Sequence, residues 1–408
     1  PHREKLGWLE VAHLMGPSIR FNYDIASFCR KVIRDMMMAQ TAYGLVPDIA
    51  PEYAQFGGGF RDSPEWGSNS IIMPWYMYEW YGDKQLLEEA YPMMQRYINY
   101  LQSKAKENIL SHGLGDWYDI GPKPPGPSQQ TPRGVTATAI YYHDLNLMSK
   151  VAALLGKPGD ANNYNQLAAK VKASYNVSFF NKQTMQYATG SQTANAISVY
   201  MNLVEPEYKD SVVANIIKEL RSRNNTLSAG EVGYRFLLRV LEDNGRSDVI
   251  YDMNSRSDVP GYGYQLARGA TALTESWQAY ENGSNNHMML GHLMEWFYSG
   301  LAGVKPAKNS VGFREIEINP QLAGDIKSAS GSYLSPYGTI KSKWQIRGSS
   351  FELDVEVPAN STAVIYLPAK ELSRITEGGK SFTGEAPVFV KGRSLIKIGS
   401  GRYHFIVE

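Results

Sequence analysis

Apolar positions recur at helical spacing from about residue 24 to 305, then switch to short alternating runs. The first pattern predicts helices over 24–40, 70–81, 84–107, 136–155, 163–175, 192–204, 209–222, 232–243, 246–253 and 287–302, with Asp24 placed to cap the first of them. The second predicts strands over 313–318, 329–334, 338–347, 351–357, 362–367, 387–391, 394–398 and 402–407, divided by turn signals such as Pro336-Tyr337-Gly338. Helices followed by strands, without alternation, mean two modules. We therefore expect a mainly helical domain over 1–306 and an antiparallel β-sandwich over 307–408, with the break between Val304 and Ser310. Three links, 44–68, 111–135 and 254–286, are long and rich in Gly, Pro, Asp and Trp. Loops longer than about 12–15 residues in a compact domain usually carry function, so these three are expected to converge on one face.

Composition narrows the function. Lys plus Arg is 41 and Asp plus Glu is 40, a net charge of +1, which argues against a dedicated nucleic-acid binder. The single cysteine, Cys29, excludes an internal disulfide and a cysteine-based zinc site. No apolar run reaches about 18 residues, so no membrane span is expected. The chain begins at Pro1, without Met, close to a motif-dense stretch, and reads as a piece whose start lies upstream. Secretion or a periplasmic location is favoured over the cytoplasm. The 8 Trp, 27 Tyr and 13 Phe fit either a large aromatic core or a sugar site, since sugar faces stack on rings; position must decide.

Four clusters combine carboxylates with indoles. The first is Arg3, Glu4, Trp8, Glu10 and His13. A carboxyl beside an indole loses solvation and holds its proton to higher pH, as a general acid requires. The second is Arg61, Asp62, Glu65, Trp66 and Asn69, where Trp66 sits among polar neighbours; Trp75 and Trp80, inside the following helix, read as core. The third is Gly115-Asp116-Trp117-Tyr118-Asp119, a hydroxyl acceptor beside a stacking surface or, equally, an Asx turn with a packed ring. The fourth runs from Gly261 to His287 through Arg268, Glu275 and Trp277. Two separated Glu–Trp clusters suggest paired-carboxylate chemistry of the kind used in glycoside hydrolysis. No HExxH, GxSxG or phosphate-binding glycine motif is present, so neither a metal nor a cofactor is expected.

At these residues the chain resembles the bacterial α-L-rhamnosidases of glycoside hydrolase family 78, over nearly its whole length. Arg3-Glu4-Lys5-Leu6-Gly7-Trp8, Pro64-Glu65-Trp66-Gly67, Gly115-Asp116-Trp117, Gly269-Ala270-Thr271 with Glu275-Ser276-Trp277, and Asn286-His287 carry the likeness. It implies an (α/α)6 barrel whose first helix is missing from this chain, missing upstream β-domains, and an inverting mechanism. Glu4 would be the general acid and Glu275 the general base. Trp8, Trp66, Trp117 and Trp277 would pack on the deoxy sugar, Arg3, Asp116 and His287 would hold hydroxyls, and Glu10 and Glu65 are further candidate substrate-binding residues. Val11 and Ser68 stand where the family often has Asp, which bears on glycone specificity. A non-catalytic carbohydrate-binding relative, or an (α/α)6 enzyme of different glycan specificity, is the alternative.

Overall fold

The computed structural model describes residues 5–281, 283–382, 388–390 and 392–408, so Arg3 and Glu4 lie outside the described residues. The chain divides into two compact units. One holds the segments up to Pro17, Ile25–Met77 and Lys84–His292; the other holds Ser18–Asp24, Tyr78–Asp83 and Leu293–Glu408.

The described helices are α1 (Leu9–Ile19), α2 (Ala26–Ala39), α3 (Pro64–Gly67), α4 (Asn69–Tyr81), α5 (Lys84–Lys104), α6 (Arg133–Leu154), α7 (Pro158–Phe179), α8 (Gln192–Tyr200), α9 (Lys209–Ser222), α10 (Glu231–Asp243), α11 (Ser247–Asn254), α12 (Tyr262–Ala267) and α13 (Leu293–Trp296). A two-stranded hairpin, β1 (Phe180–Asn181) and β2 (Gln186–Tyr187), follows α7. Helix α5 shows why these segments fold as they do. Its buried Leu86, Leu87, Ala90, Tyr91, Met94, Tyr97, Ile98 and Leu101 repeat at three- and four-residue spacing, which gives one apolar stripe. Helix α6 is buried nearly all round, from Gly134 to Ala152, and packs against α5, α7 and α8.

The strand-rich unit holds two sheets. The six-stranded sheet runs β10 (Lys380–Ser381), β9 (Ile375–Glu377), β13 (Gly401–Val407), β7 (Ser350–Val357), β6 (Gly338–Arg347), β5 (Ser328–Ser335). The five-stranded sheet runs β11 (Val388–Val390), β12 (Arg393–Ile398), β8 (Thr362–Leu367), β4 (Glu315–Ile318), β3 (Val304–Pro306). Alternate residues of β7, Phe351, Leu353, Val355 and Val357, turn inward, as a period of two dictates. They join Ile316, Ile318, Trp344, Ile365 and Phe405 in one core.

The structure corrects several expectations. The N-cap of α2 is Ile25 and not Asp24, and the Ile25 side chain makes no capping hydrogen bond. The helix expected over 287–302 is broken into a 3₁₀ turn (Met288–Leu290), α13 and a π-helical turn (Phe297–Leu301). The sandwich is not wholly antiparallel, because β4 and β8 pair in parallel. Trp75 is half-buried under the Lys150 ammonium, whereas Trp80 is core as expected. Helix α1 was not legible as a helix: its Glu10 and His13 are buried with its apolar residues, so it lacks the polar face that marks an amphipathic segment.

Candidate active site

The helical unit contains a cavity of about 210 Å³ lined by Trp8, Glu10, Phe60, Trp66, Leu114, Trp117, Tyr118, Glu275, His287 and Met289. Each wall has an identifiable local cause. Trp8 is held by an antiparallel bridge to Ile49, by Leu9 N–H donating to the Asp48 carbonyl (2.9 Å) and by Ala50 N–H donating to the Gly7 carbonyl (3.2 Å). Gly7 is required for this approach, since a Cβ there would lie 2.6 Å from the Ala50 oxygen. Phe56 and Phe60 flank Trp8 at 5.6 and 6.3 Å, and Phe60 meets Trp117 edge-on at 5.4 Å. The aromatic wall is therefore continuous, and each ring fixes the next.

Trp66 sits on α3, which Pro64 starts at a position where its missing N–H costs nothing. Its indole N–H is buried and has no hydrogen-bond partner among the described residues. Glu275 is held by a reciprocal pair: its N–H donates to the Ser284 carbonyl (2.8 Å), and Ser284 N–H donates to its Oε2 (2.9 Å). One carboxylate oxygen is thus anchored while the side chain, only 6% exposed overall, lines the cavity. His287 N–H donates to the Leu273 carbonyl (2.9 Å), and its Nδ1 accepts from Met289 N–H (3.2 Å), which leaves the ring proton of the neutral form on Nε2. A second cavity, of about 460 Å³, adjoins the first through Tyr118 and Glu275 and is bounded by Pro124, Pro125, Ser276, Tyr280, Glu281 and Gly283.

Six of the residues singled out in the sequence, Trp8, Glu10, Trp66, Trp117, Glu275 and His287, thus line one cavity. Three others, Trp277, Asp116 and Glu65, do not line it. Trp277 is 0% exposed; its indole N–H donates to the Ala229 carbonyl (3.0 Å) and its ring packs edge-on against Tyr234 and Tyr262. Asp116 is buried, and its carboxylate accepts from Thr193 Oγ1 (2.5 Å), Gly230 N–H (3.0 Å) and Gly233 N–H (2.8 Å). It caps the start of α10, where unsatisfied N–H groups and the helix dipole favour a carboxylate. Glu65 is buried behind the wall, where its Oε1 accepts from Thr136 Oγ1 (2.5 Å) and His13 Nε2 meets its backbone carbonyl (2.7 Å).

The sequence reading missed Phe60, Leu114 and Met289 as lining residues, named Tyr118 only as part of the third cluster, and missed Glu231 as a near neighbour. Glu231 opens α10; its N–H donates to the Trp117 carbonyl (2.8 Å), so the helix start and the Trp117 loop are tied together. Its carboxyl is 0% exposed, and neither oxygen has a hydrogen-bond partner among the described residues. Burial pushes its pKa well above the carboxylate range, and the charges of Glu10, Asp116 and Glu275 push the same way. An acid in a first helical turn ordinarily reads as a dipole partner, and that bland reading hid it. Among the described residues no His/Cys/Asp/Glu group could hold a metal ion, and no helix is long and apolar enough to cross a membrane.

The buried acids predict a pH dependence of stability. Burial raises Glu65 from 4.5 to about 7, and it raises Asp48, Asp116, Asp144 and Glu231 as well. For each, the folded state binds a proton that the unfolded state releases, so stability falls as pH rises through the folded value. Burial lowers His13 to about 4 and His143 to about 3; their opposite effect is complete above the ordinary histidine value of 6.5. The melting temperature should therefore fall between pH 6.5 and 8. Thermal denaturation across that range checks this, and a flat or rising curve would contradict it.

The sequence matches the family described as bacterial α-L-rhamnosidase six-hairpin glycosidase domain over residues 1–301, and the bacterial α-L-rhamnosidase C-terminal domain over 301–382. It is 29% identical to an α-L-rhamnosidase of Streptomyces avermitilis, over 99% of this chain and 38% of that protein. It is 30% identical to an α-L-rhamnosidase of Alteromonas sp. (strain LOR), over 90% of this chain and 41% of that protein. The chain thus spans less than half the length of these relatives. The crystal structure of the Streptomyces avermitilis enzyme complexed with L-rhamnose superposes with a TM-score of 0.89 at 28% identity, covering 99% of this chain and 38% of that one. An α-L-rhamnosidase from Dictyoglumus thermophilum gives 0.91 at 30% identity, covering 99% and 46%.

Proposed function

This chain belongs to the bacterial α-L-rhamnosidase family, and from that premise we propose that it is an inverting glycoside hydrolase releasing terminal α-L-rhamnose from rhamnosides or rhamnose-containing oligo- and polysaccharides. The helical unit is proposed to be the family's (α/α)6 barrel. The observation that carries the reading is Glu275. A carboxylate with one oxygen anchored by Ser284 N–H lines a sugar-sized cavity walled by Trp8, Trp66 and Trp117.

In this reading Glu275 is the general base. It draws a proton from a water as that water attacks the anomeric carbon, on the face opposite the leaving oxygen. The adjoining cavity past Glu275 and Ser276 gives that water a way in. The family resemblance assigns Glu4 as the general acid that protonates the leaving oxygen. An inverting pair needs roughly 6.5–9.5 Å between carboxyls to admit the water. Trp8, Phe60, Trp117 and Met289 supply the apolar wall that the C6 methyl of a 6-deoxy sugar favours. Glu10, His287 and the Trp66 indole N–H supply polar groups for the sugar hydroxyls.

The test is incubation of the chain with an aryl α-L-rhamnoside and assay of free rhamnose. Release in proportion to time and enzyme is expected. Binding of rhamnosides without turnover would support the non-catalytic alternative instead.

A further inference from the structure

We propose that Glu231 is a positioning residue of this pocket, a third carboxyl that serves Glu10 and Glu275 from behind the wall without touching the sugar. This rests on the function proposed above. Glu231 is fully buried, and both of its carboxyl oxygens lack a hydrogen-bond partner among the described residues. Its backbone N–H is already committed to the Trp117 carbonyl. The N–H groups of Gly230 and Gly233, which an acid at a helix start would ordinarily accept from, go to Asp116 instead. Among the described residues, none hydrogen-bonds the Glu231 carboxyl.

A buried carboxyl without a partner is destabilising, and an apolar side chain of the same size would pack there at lower cost. Such a group is kept where a site needs it. The carboxyls whose charge acts on it are Glu10 on α1, Asp116 in the third cluster and Glu275 in the fourth. Neighbouring carboxyls cannot all ionise cheaply, and the most deeply buried one keeps its proton. A general base must enter the reaction ionised. A protonated neighbour adds no competing negative charge to the pocket, and it brings an O–H that can be given to a carboxylate when the sugar settles and the wall tightens.

Two substitutions test this against the wild type on an aryl α-L-rhamnoside. Glu231→Leu should raise the melting temperature, because it removes the unpartnered polar group, yet lower kcat about tenfold with KM little changed, the worth of one hydrogen bond to a charged group. Glu231→Gln keeps a neutral donor and should restore kcat to near the wild-type value. Opposite movements of stability and turnover, with rescue by Gln, are the signature of positioning; a scaffold residue would lose both together. The inference is overturned if Glu231→Leu leaves kcat within about twofold of wild type, or if both variants melt lower and lose activity in parallel. An inactive wild type overturns the proposed function and this inference together, whereas an active wild type with an indifferent Glu231→Leu overturns this inference alone.

Discussion

Glu275→Gln is expected to lower kcat by about 10²–10⁴-fold while KM and melting temperature stay close to wild type. The physical case rests on what the amide keeps and what it loses. Glutamine has the same shape, and its carbonyl oxygen can still accept from Ser284 N–H, so the bond that anchors the side chain survives. The backbone pairing of residue 275 with the Ser284 carbonyl does not involve the side chain at all. The amide cannot take a proton from water, so the attacking nucleophile is no longer activated as it approaches the anomeric carbon. The loss therefore falls on the transition state and not on ground-state binding. Activity within a few-fold of wild type would remove Glu275 from the mechanism.

Asp116→Ala is expected to destabilise the helical unit by about 3–5 kcal/mol. Truncation would leave Thr193 Oγ1 and the N–H groups of Gly230 and Gly233 buried without their acceptor, and the start of α10 without its capping charge. The site cannot relax easily. A Cβ at Gly230 would lie 2.2 Å from the Trp117 carbonyl oxygen, and one at Gly233 would lie 1.9 Å from Thr193 Oγ1, so these backbones are packed against the Trp117 loop and α8 with no spare room. Activity should fall as a consequence, because Trp117 and Glu231 sit on the segments that Asp116 joins. Chemical denaturation of the variant, read beside its kinetics at low temperature, separates the two effects. A sugar contact would instead raise KM and leave the unfolding midpoint unchanged, which would restore the reading of Asp116 drawn from the sequence alone.

That contrast shows where the sequence is informative. Helices such as α5 and α9 were legible because one face is buried and the other wet, so periodicity alone marks them. Helix α1 was not, because Glu10 and His13 are buried along with Leu9, Leu14 and Met15, and a buried charge looks the same as a solvated one in sequence. The strands of the second unit were legible from alternation, but the parallel pairing of β4 with β8 was not, since alternation is blind to direction. In the site, the Glu and Trp clusters pointed to six lining residues. The same composition also drew in Asp116 and Trp277, which hold the pocket's surroundings together without facing it. Asp–Trp and Glu–x–Trp do not say which partner faces the cavity; that depends on which N–H groups the fold leaves to be satisfied. Glu231 was invisible for the converse reason. Its value comes from having no partner, and a sequence does not show which groups go unpaired.

The central claim, that Glu275 activates a water for single-displacement attack in this cavity, is tested most directly by following hydrolysis of an aryl α-L-rhamnoside by proton NMR from the first seconds. The β-anomer of L-rhamnose is expected to appear first, with the α-anomer growing in later by mutarotation. Initial appearance of the α-anomer would contradict it.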